Sequence, residues 1–134
     1  MKGGCIDKYF YIFIIQVFME DTNFISEEIM EKIMTGVAVA GTAKSLGKEA
    51  LIKANQGEFE EARALLSEAK KTFVEVHGCH FEFIQKEASG EKIDICLLLI
   101  HMEDHIMTTS LFLDSLEDQI NLIERIDKLE KLIK

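Results

Sequence analysis

The sequence predicts an all-α fold in which three helices pack as an antiparallel bundle. Proline is absent and only eight glycines occur among the 134 residues, so the commonest interruptions of long helices are scarce. Two polar breaks that contain glycine, at 55–57 and 89–92, divide the chain after residue 24 into three segments. Each segment has apolar residues at helical spacing, and short connections between helices favour antiparallel neighbours.

The first helix is predicted to begin at Ser26. The Ser26 side chain can accept a hydrogen bond from a backbone N–H, and the acids of Glu27 and Glu28 suit the positive first turn. We expect Asn55-Gln56-Gly57 to end the helix, because Gly57 suits the left-handed closing position. Between these ends lies an apolar face with small residues that permit close approach: Ile29, Ile33, Gly36, Val37, Ala40, Gly41, Ala43, Gly47, Ala50, Leu51 and Ala54.

The second helix is predicted from about Glu58 to Ala88. Its apolar positions alternate three and four apart, which is a heptad seam. His80 is the one polar residue of that seam, so a histidine lies on the face that should be buried. The seam positions are Phe59, Ala62, Leu66, Ala69, Phe73, Val76, His80 and Phe83.

The third helix is predicted to open at Ile93 or Asp94 and to run to the C-terminus. At about 100° per residue it has two stripes on nearly opposite sides. A helix that is apolar or semi-apolar on both sides must cover two surfaces, so we infer a symmetric homo-oligomer with this helix near its axis. The core stripe is Leu99, Met102, Ile106, Thr109, Leu113, Leu116, Ile120 and Ile123; the outer stripe is Leu97, His101, Asp104, Thr108, Leu111 and Phe112.

Residues 25–134 are predicted to form one domain, preceded by an N-terminal extension over residues 1–24. The extension contains an apolar run, Tyr9 to Met19, which is too short to span a bilayer. Nothing after it resembles the cleavage site of a signal peptide. Met19 is an alternative physiological start. We therefore expect no direct membrane insertion.

Charge and cysteine content exclude several classes of protein. The formal net charge of -9 and the pI near 4.9 argue against nucleic acid as a partner, because such binding needs clustered Lys and Arg. Cys5, Cys79 and Cys96 are odd in number and lack the spacing of a zinc ribbon. Neither a disulfide framework nor a structural zinc site is indicated, and a reducing cytoplasm is the simplest compartment.

The segment His101-Met102-Glu103-Asp104-His105 is the strongest functional signal, because ionisable groups are costly within an apolar helix. A neutral imidazole such as His101 can act as a nucleophile and form a transient phosphohistidine. Asp104 at an oligomer axis would face its own copies, which a divalent cation makes tolerable. His105 flanks this pair, and Thr108 could donate its hydroxyl to an anion. The alternative is that these are surface side chains, and that His80 is a satisfied core histidine.

Two stretches of the chain resemble the lactose/cellobiose-type enzyme IIA of the bacterial phosphoenolpyruvate-dependent sugar phosphotransferase system. They are GVAVAGTAKSLGKEALIKANQGEFEEARALLSEA and IQKEASGEKIDICLLLIHMEDHIMTT, where the family typically has a motif close to HAQDHLMT. The resemblance implies a homotrimer of three-helix subunits, which together form a nine-helix bundle. It also implies that His101 accepts a phosphoryl group from the phosphocarrier HPr and passes it to enzyme IIB. Asp104 would bind a divalent metal ion, expected to be Mg²⁺, with its symmetry mates at the trimer axis.

The chain departs from the family pattern at two places. Glu103 replaces a glutamine, which adds negative charge near a group that must become an anion, although helical phase places it about 200° from His101. His80-Phe81 replaces a frequent Gln-Thr pair in a region expected to lie near the phosphorylation site. A histidine can replace an amide as a hydrogen-bond donor, but Phe81 cannot replace a hydroxyl.

Two other functions are left open by the sequence. The histidine cluster superficially resembles the HxxEH arrangement of some zinc peptidases, with His77 and His80 as the available sources of a third ligand. A helical scaffold is the second alternative, since ANQGEFEEARALLSEA is similar to a tetratricopeptide hairpin, although no 34-residue repeat follows. Its more serious form is a regulator derived from the same family, with a silent histidine. The sugar, within the lactose, cellobiose and chitobiose class, is not encoded in this chain.

Overall fold

A computed structural model of the chain describes residues 25–133, which fold into three long helices without strands. Helix α1 spans Glu27–Asn55, α2 spans Phe59–Ala88 and α3 spans Leu97–Ile133. The predicted all-α, three-helix architecture is confirmed. The predictions for the N-terminal extension, including the apolar run and Met19, lie outside the described residues, as does Cys5.

The ends of α1 follow from its predicted caps. The Ser26 hydroxyl accepts a hydrogen bond from the backbone N–H of Ile29 at 3.3 Å, which satisfies a donor of the first turn. At the other end, Gly57 has a φ of +82°, a conformation that is costly for residues with a Cβ. The connection to α2 is therefore tight, and the two helices run antiparallel. Lys32 near the start of α1 bonds Glu82 near the end of α2 at 2.8 Å.

The start of α3 differs from the prediction. The helix begins at Leu97 rather than at Ile93 or Asp94, because residues 91–96 form a non-helical connection after Gly90, whose φ is +90°. The Cys96 sulfur accepts a hydrogen bond from the backbone N–H of Leu99 at 3.3 Å and caps the first turn. Cysteine is not among the usual capping residues, so the sequence does not mark this boundary.

Small residues bring α1 close to α3. A Cβ added at Gly36 would lie 2.5 Å from the sulfur of Met102, and one at Gly47 would lie 2.7 Å from Cε1 of Phe112. Phe112 therefore packs against α1, half-buried, instead of lying in the outer stripe as predicted. Its helical phase puts it at the border between the two stripes, so contacts with α1 determine whether its side chain is buried. The α1 residues that are buried along this face are Ile33, Gly36, Ala40, Ala43, Gly47, Ala50 and Ala54.

The contact between α2 and α3 is more open. A groove of about 450 Å³ lies between them near the C-terminal half of α3, and charged side chains cross it. Lys70 bonds Glu117 at 2.8 Å, and Arg63 bonds Glu124 at 2.6 Å. The predicted seam of α2 supplies the apolar part, with its positions from Ala62 to Val76 and Phe83 buried. His80, as predicted, is largely shielded, with its side chain 15% exposed.

Helix α3 has one buried stripe and one exposed stripe. The predicted core stripe is buried from Leu99 to Ile120. Apart from Phe112, the residues of the outer stripe face away from both other helices. Leu97 and Leu111 of this stripe are 82% and 72% exposed. Within residues 25–133, no helix combines the length and the apolarity that a bilayer crossing requires.

Candidate functional site

The first turns of α3 place three predicted site residues on the exposed side of the bundle. His101, Asp104 and Thr108 are all exposed, while Met102 and Ile106, which alternate with them, are 0% and 1% exposed. The helical repeat causes this division, because residues three and four apart share a side and immediate neighbours do not. The buried Met102 and Ile106 hold this part of α3 against the bundle, and the polar side chains face away from it.

His101 and His105 contact each other one turn apart. Their ring centroids are 4.4 Å apart with the planes inclined at 64°, an edge-to-face arrangement. His105 is half-buried, and its Nδ1 has no hydrogen-bond partner within residues 25–133. The packed ring of His105 therefore limits the orientations open to the exposed ring of His101. A nucleophilic imidazole needs such restraint, since a fixed orientation lowers the entropic part of the barrier.

Thr108 does not point its hydroxyl hydrogen toward the histidines. The hydroxyl donates to the backbone carbonyl of Asp104 at 2.7 Å, and it lies 3.4 Å from the carbonyl of His105. Its oxygen remains an acceptor. Donation to an anion, which the sequence predicts, requires a change of rotamer at Thr108. The carboxylate of Asp104 itself is exposed.

His80 of α2 approaches Glu103 on another side of α3. Nδ1 of His80 is 3.5 Å from Oε2 of Glu103, beyond the range of an N–H to oxygen hydrogen bond, and this nitrogen is buried without a partner in the described chain. The two side chains are therefore neighbours without a hydrogen bond between them. Glu103 is about 200° around the helix from His101. Within one subunit, the contact between His80 and Glu103 therefore lies on a different side of α3 from His101.

Glu103 also borders a groove of about 330 Å³ between the end of α2, the connection and the start of α3. The rest of its lining is mostly apolar and includes Phe83, Ile93 and Leu99. Phe81, the second residue of the departing pair, is 59% exposed. The groove itself is lined by exposed apolar side chains in one subunit, among them Ile95 and Ile100.

The described residues contain no group of three or more His, Cys, Asp and Glu side chains that could hold a metal ion. A zinc site of the peptidase type, with a third ligand beside His101 and His105, is therefore not assembled by residues 25–133. A single Asp104 carboxylate per chain is too few ligands for a divalent cation. Its oxygens are the donors that Mg²⁺ prefers, so the residue fits a metal only if copies of the chain share it.

A family model matches residues 31–124, the region that contains all of these side chains. It describes the lactose/cellobiose-specific IIA subunit of the phosphotransferase system. The chain belongs to this family. It is accordingly an enzyme IIA, the phosphoryl-carrying component of a sugar phosphotransferase system, and the family resemblance seen in the sequence is confirmed.

Relatives of known specificity agree with this assignment. The chain is 32% identical over 106 residues to the N,N'-diacetylchitobiose-specific EIIA component of Escherichia coli strain K12, a match that spans 79% of this chain and 91% of the relative. It is 35% identical over 101 residues to the lichenan-specific enzyme IIA component of Bacillus subtilis strain 168, spanning 75% and 92% of the two chains.

Solved structures of enzymes IIA share the fold. The cellobiose-specific enzyme IIA from Bacillus anthracis superposes with a TM-score of 0.74 at 31% identity, covering 78% of this chain and 95% of that one. The IIA(chitobiose) chain of a complex with HPr superposes with a TM-score of 0.67 at 29% identity, covering 76% and 99%. The three helices of this enzyme IIA, of which α3 carries His101, are thus arranged as in enzymes IIA of known structure.

Proposed function

We propose that His101 is the residue on which this enzyme IIA carries the phosphoryl group, received from HPr and passed to enzyme IIB. The observation that carries the proposal is the placement of the His101 ring, which is exposed on the outer side of α3 and held by an edge contact with His105. A relative of this chain forms a complex with HPr, which supports HPr as the donor. The expected compartment is the cytoplasm.

The transfer is a displacement at phosphorus in which the protein supplies position and charge. A ring nitrogen of His101 attacks phosphorus, and the bond between phosphorus and the HPr side chain breaks. Phosphorylation adds up to about two negative charges beside Asp104. No Lys or Arg occurs in α3 before Arg125, so this helix offers no nearby cation of its own to balance that charge.

The outer stripe supports assembly as a homotrimer, a nine-helix bundle with α3 near the axis. Large apolar side chains such as Leu97 and Leu111 are exposed in one subunit, and burial between copies would remove them from water. Asp104 lies on the same stripe, so three copies of its carboxylate would meet. A divalent cation bound there, for which Mg²⁺ is our proposal, would offset the repulsion between the carboxylates and the charge of a phosphorylated His101.

The two departures from the family pattern are compatible with transfer. The Glu103 carboxylate lies toward His80 on α2, rather than toward the His101 ring of its own chain. Its charge is therefore directed away from the incoming phosphoryl group. Phe81 presents an exposed apolar ring where the family pattern has a hydroxyl.

Labelling from phosphoenolpyruvate with enzyme I and HPr tests the acceptor. The wild-type chain is expected to gain one phosphoryl group in intact-mass measurement, and His101→Ala is expected to gain none. His77→Gln is the matched control, because His77 is exposed on α2 and is packed edge-on against Phe73, on a helix other than that of the proposed site. Label that persists in His101→Ala on His80 or His105 would refute the assignment. A wild-type chain that never gains mass would favour the silent regulator.

Replacing Asp104 by leucine tests the axial site. Asp104→Leu exchanges a set of repelling carboxylates for apolar side chains, so the trimer is expected to persist without any metal ion. Chelation with EDTA should lower the melting temperature of the wild type and leave that of the variant unchanged. A variant that sediments as a monomer would show that Asp104 does not lie at the axis.

A further inference from the structure

Thr109 places a hydroxyl in the apolar core of the bundle. Among residues 25–133 it is the one polar or charged residue that is buried, and it is 0% exposed. Its hydroxyl has no hydrogen-bond partner in this part of the chain. A buried hydroxyl without a partner is costly, and valine would supply the same branched shape without that cost. Packing therefore does not explain why α3 has a hydroxyl at this position.

The preceding residue, Thr108, shows how a threonine hydroxyl is commonly satisfied within a helix. Its hydroxyl donates to the backbone carbonyl of Asp104, four residues earlier, at 2.7 Å. The corresponding carbonyl for Thr109 is that of His105, and within the described chain the Thr109 hydroxyl forms no such bond. The hydrogen of this hydroxyl therefore remains available to a side chain.

The side chain of His105 lies one turn before Thr109 on the same side of α3. Residues four apart lie above one another on a helix, and side chains lean toward its N-terminus. Nδ1 of His105, the ring nitrogen nearer the backbone, is also buried without a partner within residues 25–133. One turn of α3 thus holds an unsatisfied O–H donor and an unsatisfied nitrogen that can accept. A small change of rotamer would let each satisfy the other.

The far edge of the His105 ring is where such a bond would act. This ring contacts the ring of His101, with the centroids 4.4 Å apart. A neutral imidazole carries one hydrogen, so an Nδ1 that accepts a hydrogen bond places that hydrogen on Nε2. His105 then presents an N–H donor beside the ring that receives the phosphoryl group. Because α3 has no Lys or Arg before Arg125, this donor offsets charge that no cation of the helix offsets.

We propose that Thr109 is a positioning residue for phosphoryl transfer, whose hydroxyl donates to Nδ1 of His105 when His101 is phosphorylated. The inference rests on the proposed function of His101. The negative charge on His101 attracts the Nε2–H of His105, which donates to a phosphoryl oxygen, and the Thr109 hydroxyl bonds the other nitrogen of the same ring. No proton changes residue. The hydroxyl thus costs stability in the unphosphorylated chain and stabilises the phosphorylated one.

Single-turnover transfer from phosphorylated HPr tests this role. Thr109→Val keeps the shape of the side chain and removes the hydroxyl. At saturating phosphorylated HPr we expect the rate constant to fall about fivefold or more, as for the loss of one hydrogen bond. The HPr concentration that gives half of the maximal rate should stay the same, because the buried Thr109 cannot contact HPr. The melting temperature of the unphosphorylated variant should rise.

Thr109→Ser and Thr42→Val are the matched controls. Serine retains the hydroxyl, so Thr109→Ser should keep the rate constant within about twofold of the wild type. Thr42 is exposed on α1, where its hydroxyl donates to the backbone carbonyl of Ala38 at 2.9 Å. Thr42→Val removes a hydroxyl in the same way, far along the chain from His101, and should leave the rate constant unchanged.

Nitrogen-15 NMR of the phosphorylated chain in basic solution reads the tautomer of His105 directly. We expect the hydrogen on Nε2 in the wild type, and a smaller share of that tautomer in Thr109→Val. Thr109→Val that transfers at the wild-type rate, or a wild-type His105 with its hydrogen on Nδ1, would overturn the inference and leave His101 as the carrier. A wild-type chain that gains no phosphoryl group on His101 would refute the proposed function, and the inference with it.

Discussion

The two sides of α3 differ in what they contribute. The inner side is apolar and buried from Leu99 to Ile120, and it meets small residues of α1 at close range. The outer side is exposed, and it carries His101 and Asp104 in its first turns and apolar side chains such as Leu111 and Leu122 further along. The residues that stabilise the fold and the residues that carry the chemistry thus lie on different sides of the same helix. Substitutions on the inner side should change folding, and those on the outer side should change transfer or assembly.

The largest effect on folding is expected at Gly47, where an added Cβ would meet two side chains of α3 at once. Gly47→Ala adds a Cβ 2.7 Å from Cε1 of Phe112 and 2.9 Å from Cδ2 of Leu113, so the buried side chains must move. We expect the free energy of unfolding to fall by about 1–3 kcal/mol, as for other overpacked cores. Chemical denaturation measures the change.

Gly41→Ala is the matched control for Gly47, in the same helix. A Cβ at Gly41 meets nothing within 4 Å, so only the better helix propensity of alanine acts. The free energy of unfolding should rise by up to about 1 kcal/mol. A rise in the free energy of unfolding for Gly47→Ala as well would mean that α1 does not pack on α3 at this distance.

Adjacent threonines offer a smaller test on the two sides of α3. The hydroxyl of Thr109 is fully buried without a hydrogen-bond partner in the described chain, so Thr109→Val should stabilise the fold by about 1 kcal/mol. Thr108 is exposed, and Thr108→Val should change the free energy of unfolding by about 0.5 kcal/mol or less. The melting temperatures of the two variants and of the wild type measure these changes. A larger effect at Thr108 than at Thr109 would reverse the assignment of the two sides.

The smallest effect belongs to the surface charges that join α1 to α2. Hydrogen bonds from Lys32 and then from Lys86 lower the pKa of Glu82 from its ordinary 4.5. A lowered pKa in the folded state stabilises the protein above the unfolded pKa, and this contribution is lost as the pH falls through the folded value. Glu82→Gln should therefore lose slightly less stability than the wild type between pH 5 and pH 3, measured by thermal unfolding. A steeper loss in the variant would contradict the ion pair.

The sequence predicted the features that depend on local chemistry. Ser26 and Gly57 fixed the ends of α1, and the heptad spacing fixed the buried side of α2. The predicted start of α3 was wrong, because Cys96 caps the helix through a sulfur atom that capping preferences do not anticipate. Phe112 was placed in the outer stripe, since helical phase alone cannot settle a residue at the border when a glycine on α1 makes room for it.

The candidate site was predicted only as a set of residue types and their angular positions. Helical phase placed His101, Asp104 and Thr108 on one side, as the structure has them. The contact of His105 with His101, the hydroxyl bond of Thr108 and the approach of His80 to Glu103 depend on rotamers and on helix packing. Neither spacing nor composition contains that information.

The central claim is that the exposed imidazole of His101, on the outer side of α3, carries the phosphoryl group. The most direct test is to phosphorylate the wild-type chain through enzyme I and HPr and to map the modified residue by mass spectrometry of peptides kept at neutral or basic pH. We predict one phosphoryl group per chain, located on His101. A phosphoryl group on His80, on His105 or on any other side chain would contradict the account.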